Sequence, residues 1–229
     1  MKKVLSLLLV ISSLSVWGQS SSFRINLYSN YVFDDQVDSY YSTTAYYDGK
    51  IKGGFQWGVG LEYMIKPAYG ISLAYFRQGT NAPITYYDPG TVINPVKTQD
   101  FDLVMNYIML GGTRYFPASP AVEPYFGIDL GMCILDVSNT PNGNDDNATK
   151  FAWGIRGGTN IWATERFGIK LQAGLNSVVQ GVGGSLYFGT GGAGAGVASY
   201  SSLLQFSLGG GLAFRLGYTT NAAGQPKVY

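Results

Sequence analysis

The sequence predicts an all-β protein, an eight-stranded antiparallel up-and-down transmembrane β-barrel. Three observations carry that prediction. Large apolar residues alternate with polar or very small ones in run after run. The connections between runs alternate between short and long. Charged residues make up only 13 % of the chain while aromatics reach 15 %, with 32 Gly and 18 Tyr. Alternation with period two is the mark of a strand, and alternating connection lengths are the habit of transmembrane barrels, with short turns on the periplasmic side and long loops outside.

In chain order, Phe23-Arg-Ile25-Asn-Leu27 to Phe33 opens with oily odd positions. A polar connection, 34–50, leads to Phe55-Gln-Trp57-Gly-Val59-Gly-Leu61-Glu-Tyr63. A short link at 66–70 leads to Ile71-Ser-Leu73-Ala-Tyr75-Phe-Arg77, and residues 78–99 read as a long loop with three Pro. The fourth run is Phe101 to Tyr115, again odd-oily but with an apolar second face. Past the short link at 117–121, the run Val122 to Ile134 carries its oily residues on even numbers. After the loop at 136–150 come two runs, Phe151 to Ile161 and Phe167 to Val179, joined by a short turn. Here Trp162 and Phe167 are expected at the periplasmic interface. Residues 181–200 are Gly-rich, and Leu204 to Tyr218 closes the set of eight. The Pro residues fall between runs, with Pro124 at the start of one, so none is expected inside a strand, where a missing N–H breaks the ladder.

Met1-Lys2-Lys3, an apolar stretch to Ile11 and a small-residue tail read as a secretory signal peptide, residues 1–18, with cleavage after Gly18. Residues 19–218 then form the barrel and 219–229 a short periplasmic tail. Without Lys2 and Lys3, Lys+Arg falls from 15 to 13 against 14 Asp+Glu, a balance that makes no case for nucleic acid. Beyond the leader no apolar run is long enough for a spanning helix, so a membrane location requires a closed barrel. The single Cys133 lies within a strand pattern and is expected as small buried filler.

Gly112-Thr-Arg-Tyr-Phe116, Val122-Glu-Pro-Tyr-Phe-Gly-Ile-Asp-Leu-Gly131 and Trp153-Gly-Ile-Arg-Gly-Gly158 through Phe167-Gly-Ile-Lys-Leu171 resemble the small outer-membrane β-barrel superfamily, the OmpA/OmpX-type eight-stranded barrels. The resemblance spans Phe23 to Tyr218 and implies a location in the cell outer membrane. No peptidoglycan-binding segment follows the barrel, a departure from the two-domain OmpA layout, so a cell-wall tether is not expected.

With the oily face toward lipid, the inner set is Arg24, Glu62, Asp102, Arg114, Glu123, Asp129, Arg156, Lys170 and Arg215. An eight-stranded barrel has room only for side chains, and charges so confined must pair. Distances from the connections suggest Arg24 with Glu62, joined by Arg215; Arg114 with Glu123; and Asp129 with Arg156. The expectation is a salt-bridged plug, with a small porin-like channel as the alternative.

There is no His, which removes Ser–His and Cys–His activation and histidine acid–base or metal-ligand roles. No catalytic, cofactor-binding or metal site is expected. Asn142 to Asn147 lacks the EF-hand spacing, and the Gly-rich 181–196 lacks the Lys-Ser/Thr and βαβ context of a phosphate loop. The pairs Tyr40-Tyr41, Tyr46-Tyr47 and Tyr86-Tyr87 offer amphipathic contact area in outward loops, suited either to a protein or glycan partner or to the outer aromatic belt. The expected role is non-enzymatic, structural or surface-binding, with outer-membrane lipid as the surroundings. The alternative is an accessory subunit of a larger outer-membrane transport or secretion complex.

Overall fold

The computed structural model describes residues 22–42, 45–88, 94–140, 145–179, 185–189, 192–196 and 203–216. Its strands are β1 (Ser22–Val32), β2 (Asp35–Ser42), β3 (Ala45–Ile51), β4 (Gly54–Lys66), β5 (Tyr69–Tyr87), β6 (Val96–Tyr115), β7 (Val122–Ser138), β8 (Asp146–Trp162), β9 (Phe167–Val179), β10 (Ser185–Gly189), β11 (Gly192–Gly196) and β12 (Leu203–Leu216). Antiparallel pairing runs β5–β4–β1–β12–β9–β8–β7–β6 and returns from β6 to β5, so eight strands close a barrel. The ends of the chain meet in the wall, with Phe23 opposite Leu216 and Val32 opposite Ser207. Closure leaves no edge along the eight strands, the condition for a sheet to cross lipid.

The wall is oily outside. Leu27, Val59, Leu61, Ile71, Leu73, Leu110, Ile128, Leu130, Ile169, Leu171, Leu208 and Leu216 are all exposed, and they form one band around the barrel. Aromatics border the band: Phe23, Tyr63, Tyr69 and Phe116 toward the short turns, Tyr31, Phe55, Trp57 and Phe206 toward the long connections. Water would leave so much apolar surface unstable, whereas lipid stabilises it. An apolar band between two aromatic girdles is the signature of a transmembrane barrel.

Several segments that read as loops are strands. Strands β2 and β3 pair antiparallel, and β3 joins the outer part of β5 through Tyr47–Tyr86 and Gly49–Ile84. β5 and β6 pair without interruption from Tyr69–Arg114 to Tyr87–Val96, about twice the 9–11 residues that cross a bilayer. The added length stands outside the lipid band and is covered on its inner side: Ala82, Ile84, Tyr86, Phe101, Leu103, Leu135 and Val137 are buried. Pro83 therefore lies inside a strand after all, at the residue where the pairing of β5 with β3 gives out.

The fourth predicted strand is turned inside out. On β6 the odd-numbered Phe101, Leu103, Met105, Tyr107 and Met109 face inward, and Asp102, Ile108, Leu110 and Arg114 face outward. Both faces of this strand are apolar near its middle, so alternation alone leaves the choice open. Cross-strand partners share a face. Arg114 sits opposite Tyr69 and Phe126, both on the lipid side, while Thr113 sits opposite Gly70 and Gly127, both inside. The neighbours decide the orientation. The leader 1–18, the tail 219–229 and residues 142–144 of the Asn142–Asn147 loop lie outside the described residues.

Candidate functional site

The barrel interior is polar near the short turns and apolar toward the long connections. Its lowest tier is organised by Glu123, which the first residues of β7 hold inside the wall. Arg24 Nη1 and Nη2 donate to the two Glu123 oxygens at 2.8 and 3.0 Å, the bidentate geometry that planar guanidinium favours. Asn160 Nδ2 and Trp162 Nε1 donate to Oε2 at 3.0 and 3.2 Å, and Arg215 Nη2 lies 3.5 Å from Oε1. Rings cover the cations: Arg24 lies 4.3 Å from the centre of the Tyr115 ring and Arg215 lies 3.5 Å from that of Trp162.

The next tier holds Arg156, Asp129, Glu62 and Lys170. Arg156 Nη1 stands 3.2 Å from Asp129 Oδ1, an ion-pair contact without hydrogen-bond geometry. Its Nη2 donates to Ser72 and Thr113, each at 3.0 Å. Tyr115 donates its hydroxyl to Glu62 Oε2 at 2.6 Å. Lys170 Nζ lies 4.0 Å from the Tyr125 ring centre and 5.9 Å from that of Tyr28. Glycine makes the space. A Cβ on Gly111 would collide with Asp129, and one on Gly127 would come within 2.9 Å of Arg156 Nε. Above lies a chain of amides: Tyr125 donates to Gln172 at 3.1 Å, Gln172 to Asn30 at 3.0 Å, and Asn30 to Gln56 at 3.2 Å. Beyond the amides the interior is filled by Phe76, Phe101, Leu103, Met105, Tyr107, Leu135 and the free, buried Cys133.

The nine charged residues expected in the lumen therefore separate. Arg24, Glu62, Glu123, Asp129, Arg156 and Lys170 are buried inside, and Arg215 is half-buried at the rim. Asp102 and Arg114 are on the outer wall, a correction that follows from the orientation of β6. The pairing changes with it. With Arg114 outside, Glu123 takes Arg24, which reaches across the barrel rather than to Glu62 in register beside it on β4. Asp129 and Arg156 come together. Trp162 also faces inward rather than the interface. Its parity with Arg156 and Asn160 was the available signal, and its aromatic character hid it.

Outside the lipid band, β5, β6 and β7 carry a polar outer face. Asn81 donates to Asp102 at 2.8 Å, and Thr85 and Thr98 share a hydrogen bond of 2.9 Å. Arg77 donates to Asn106 at 2.9 Å, and Asn106 in turn to Asp136 at 3.1 Å. Of the candidate tyrosines, Tyr86 is buried in the apolar interior and so offers no outward contact, while Tyr87 is half-buried. Tyr40 and Tyr46 pair between β2 and β3 and Tyr47 pairs with Tyr86 of β5, whereas the side chains of Tyr40, Tyr41, Tyr46 and Tyr47 lie outside the described set. Among the described residues no cluster of three potential metal-ligating side chains occurs.

No protein-family model matches the sequence. No curated protein matches it either. Solved structures do match. Neisserial surface protein A is similar over 86 % of this chain and 99 % of its own, with 15 % identity and a TM-score of 0.51. The outer membrane protein OprG from Pseudomonas aeruginosa is similar over 87 % of this chain and 98 % of its own, with 11 % identity and a TM-score of 0.51. Ail of Yersinia pestis, solved in complex with the heparin analogue sucrose octasulfate, is similar over 85 % of this chain and 99 % of its own, with 12 % identity and a TM-score of 0.45. Closure of eight antiparallel strands, an apolar girdled wall and the matches to Neisserial surface protein A and OprG agree: the protein has the fold of the small eight-stranded outer-membrane β-barrels.

Proposed function

We propose that the protein is a non-enzymatic, closed barrel that displays a rigid β-sheet outside the outer membrane as a binding surface for a protein or glycan. The observation that carries this reading is the prolongation of β5 and β6 to Tyr87 and Val96, far past the lipid band. That prolongation has its own apolar inner side, with Ile84, Phe101 and Leu103 at 1 % exposure or less. Packing of that kind fixes the outward Thr85, Thr98, Asn81 and Asp102 in one arrangement. Pre-organised polar groups bind at lower ordering cost than mobile loops. The filled interior favours a closed lumen, because the polar tiers and the apolar tier succeed one another along the axis.

Two measurements test it. In planar bilayers the protein should show no steady conductance, and a persistent open level would refute the closed lumen. Cells displaying the wild-type protein should adhere to immobilised proteins or glycans, and the pair Asn81→Ala and Asp102→Ala should reduce that adhesion. Unchanged adhesion with the outer face altered would refute the binding surface.

A further inference from the structure

We propose that the outer wall holds one glycerophospholipid of the periplasmic leaflet, its phosphate on Arg114 and one acyl chain in the notch above Gly112. The site is built on three outward positions of β6. Arg114, Gly112 and Leu110 follow one another on the same face, from the short-turn end toward the middle of the lipid band. Among the described residues, no carboxylate pairs with Arg114 and no hydrogen bond holds it. Its guanidinium lies 5.0 Å from the Phe116 ring centre and 5.5 Å from that of Tyr69. With no hydrogen bond on it among the described residues, the guanidinium has its N–H groups available to a phosphate, which they match in pairs.

Gly112 supplies the second half. A Cβ built there would meet nothing within 4 Å, so the wall is open at that point. Ile71 of β5 and Ile128 of β7 are its register partners, both exposed, and they form the sides of the notch. Leu110 closes its deep end. Two residues along a strand cover about 7 Å, so the notch lies one such step along β6 from the Arg114 backbone. Charge selects the occupant. An outward arginine at the edge of an apolar band calls for a phosphodiester at headgroup depth. The short turns mark that edge as periplasmic, where the lipids are glycerophospholipids.

Native mass spectrometry of the detergent-extracted protein with added phosphatidylglycerol or phosphatidylethanolamine tests the proposal. The wild type should retain one phospholipid per barrel. Arg114→Ala should retain it about tenfold more weakly, as expected for a lost charge-assisted pair. Gly112→Leu should lose it with Arg114 intact, and Lys66→Ala, at the neighbouring turn, should behave as the wild type. Heat-modifiable gel mobility establishes that each variant is a folded barrel, and Arg114→Lys, which keeps the charge without the fork, should fall between. Equal retention by the wild type, Arg114→Ala and Gly112→Leu would overturn the site. So would a statistical spread of adducts on the wild type, or retention of lipid A in preference to glycerophospholipid.

Discussion

Replacing Glu123 by alanine removes the single carboxylate on which the lowest interior tier converges. Arg24 then loses both hydrogen bonds, and Asn160 and Trp162 lose one each. Arg24 and Glu123 are 5 % exposed, so water cannot simply replace the missing oxygens. Breaking a buried ion pair by deleting one partner costs about 3–5 kcal/mol. Two features pull the value to the lower end. Arg24 keeps the Tyr115 ring at 4.3 Å, a contact worth about 0.5–2 kcal/mol, and Glu62 stands in register beside it as a substitute anion. Arg215 adds little, because its side chain is 28 % exposed and can hydrate. The expected loss is about 3 kcal/mol, read as equilibrium unfolding by urea in detergent micelles or vesicles. Arg24→Ala should cost a similar amount, and the double variant less than the sum of the two by about 2 kcal/mol. A Glu123→Ala protein within about 0.5 kcal/mol of the wild type, or strict additivity in the pair, would refute the view that this carboxylate holds the tier together.

The orientation of β6 is open to thiol labelling. Asp102→Cys should react with a water-soluble maleimide in the folded barrel, while Leu103→Cys and the native Cys133, both buried, should stay silent until unfolding; the reverse pattern would restore the opposite face. Outside the membrane, Asp34 accepts from Lys50 at 2.6 Å and from the Gly53 amide at 2.8 Å, and these contacts hold its carboxyl below the ordinary aspartate range. A depressed folded-state value means the clip contributes above the unfolded value, about 3.9, and is lost as pH falls through the lower folded one. The Gly53 amide resonance should therefore titrate with a midpoint below that of an unperturbed aspartate, and a midpoint at or above it would contradict the clip.

The barrel was legible because period-two alternation survives in most of its strands, and because short turns such as 163–166 contrast with long connections. The inner charges on β1, β4, β7, β8 and β9 followed from the same parity. What escaped the sequence has physical causes. Tyr86 and Pro83 read as loop residues, yet they belong to a strand because β6 supplies continuous partners and the apolar interior covers Tyr86. Trp162 read as an interface aromatic, yet Glu123 gives its N–H an acceptor inside. Asp129 and Arg156 pair as expected, but the Arg24–Glu123 pair escaped for a different reason. Distance from a turn identifies neighbours along the wall, whereas Arg24 spans the lumen to Glu123, 99 residues away.

By itself the sequence determined the all-β class, the closed barrel in lipid and which face of most strands meets the apolar phase. Those are local consequences of alternation and composition. Only the tertiary structure decided the face of β6, the exit of Asp102 and Arg114 from the lumen, the convergence of Arg24, Arg215, Asn160 and Trp162 on Glu123, and the apolar filling beneath the outer sheet. Each of these depends on register against neighbouring strands and on contacts across the tube, and a one-residue choice of register exchanges every inward side chain for an outward one.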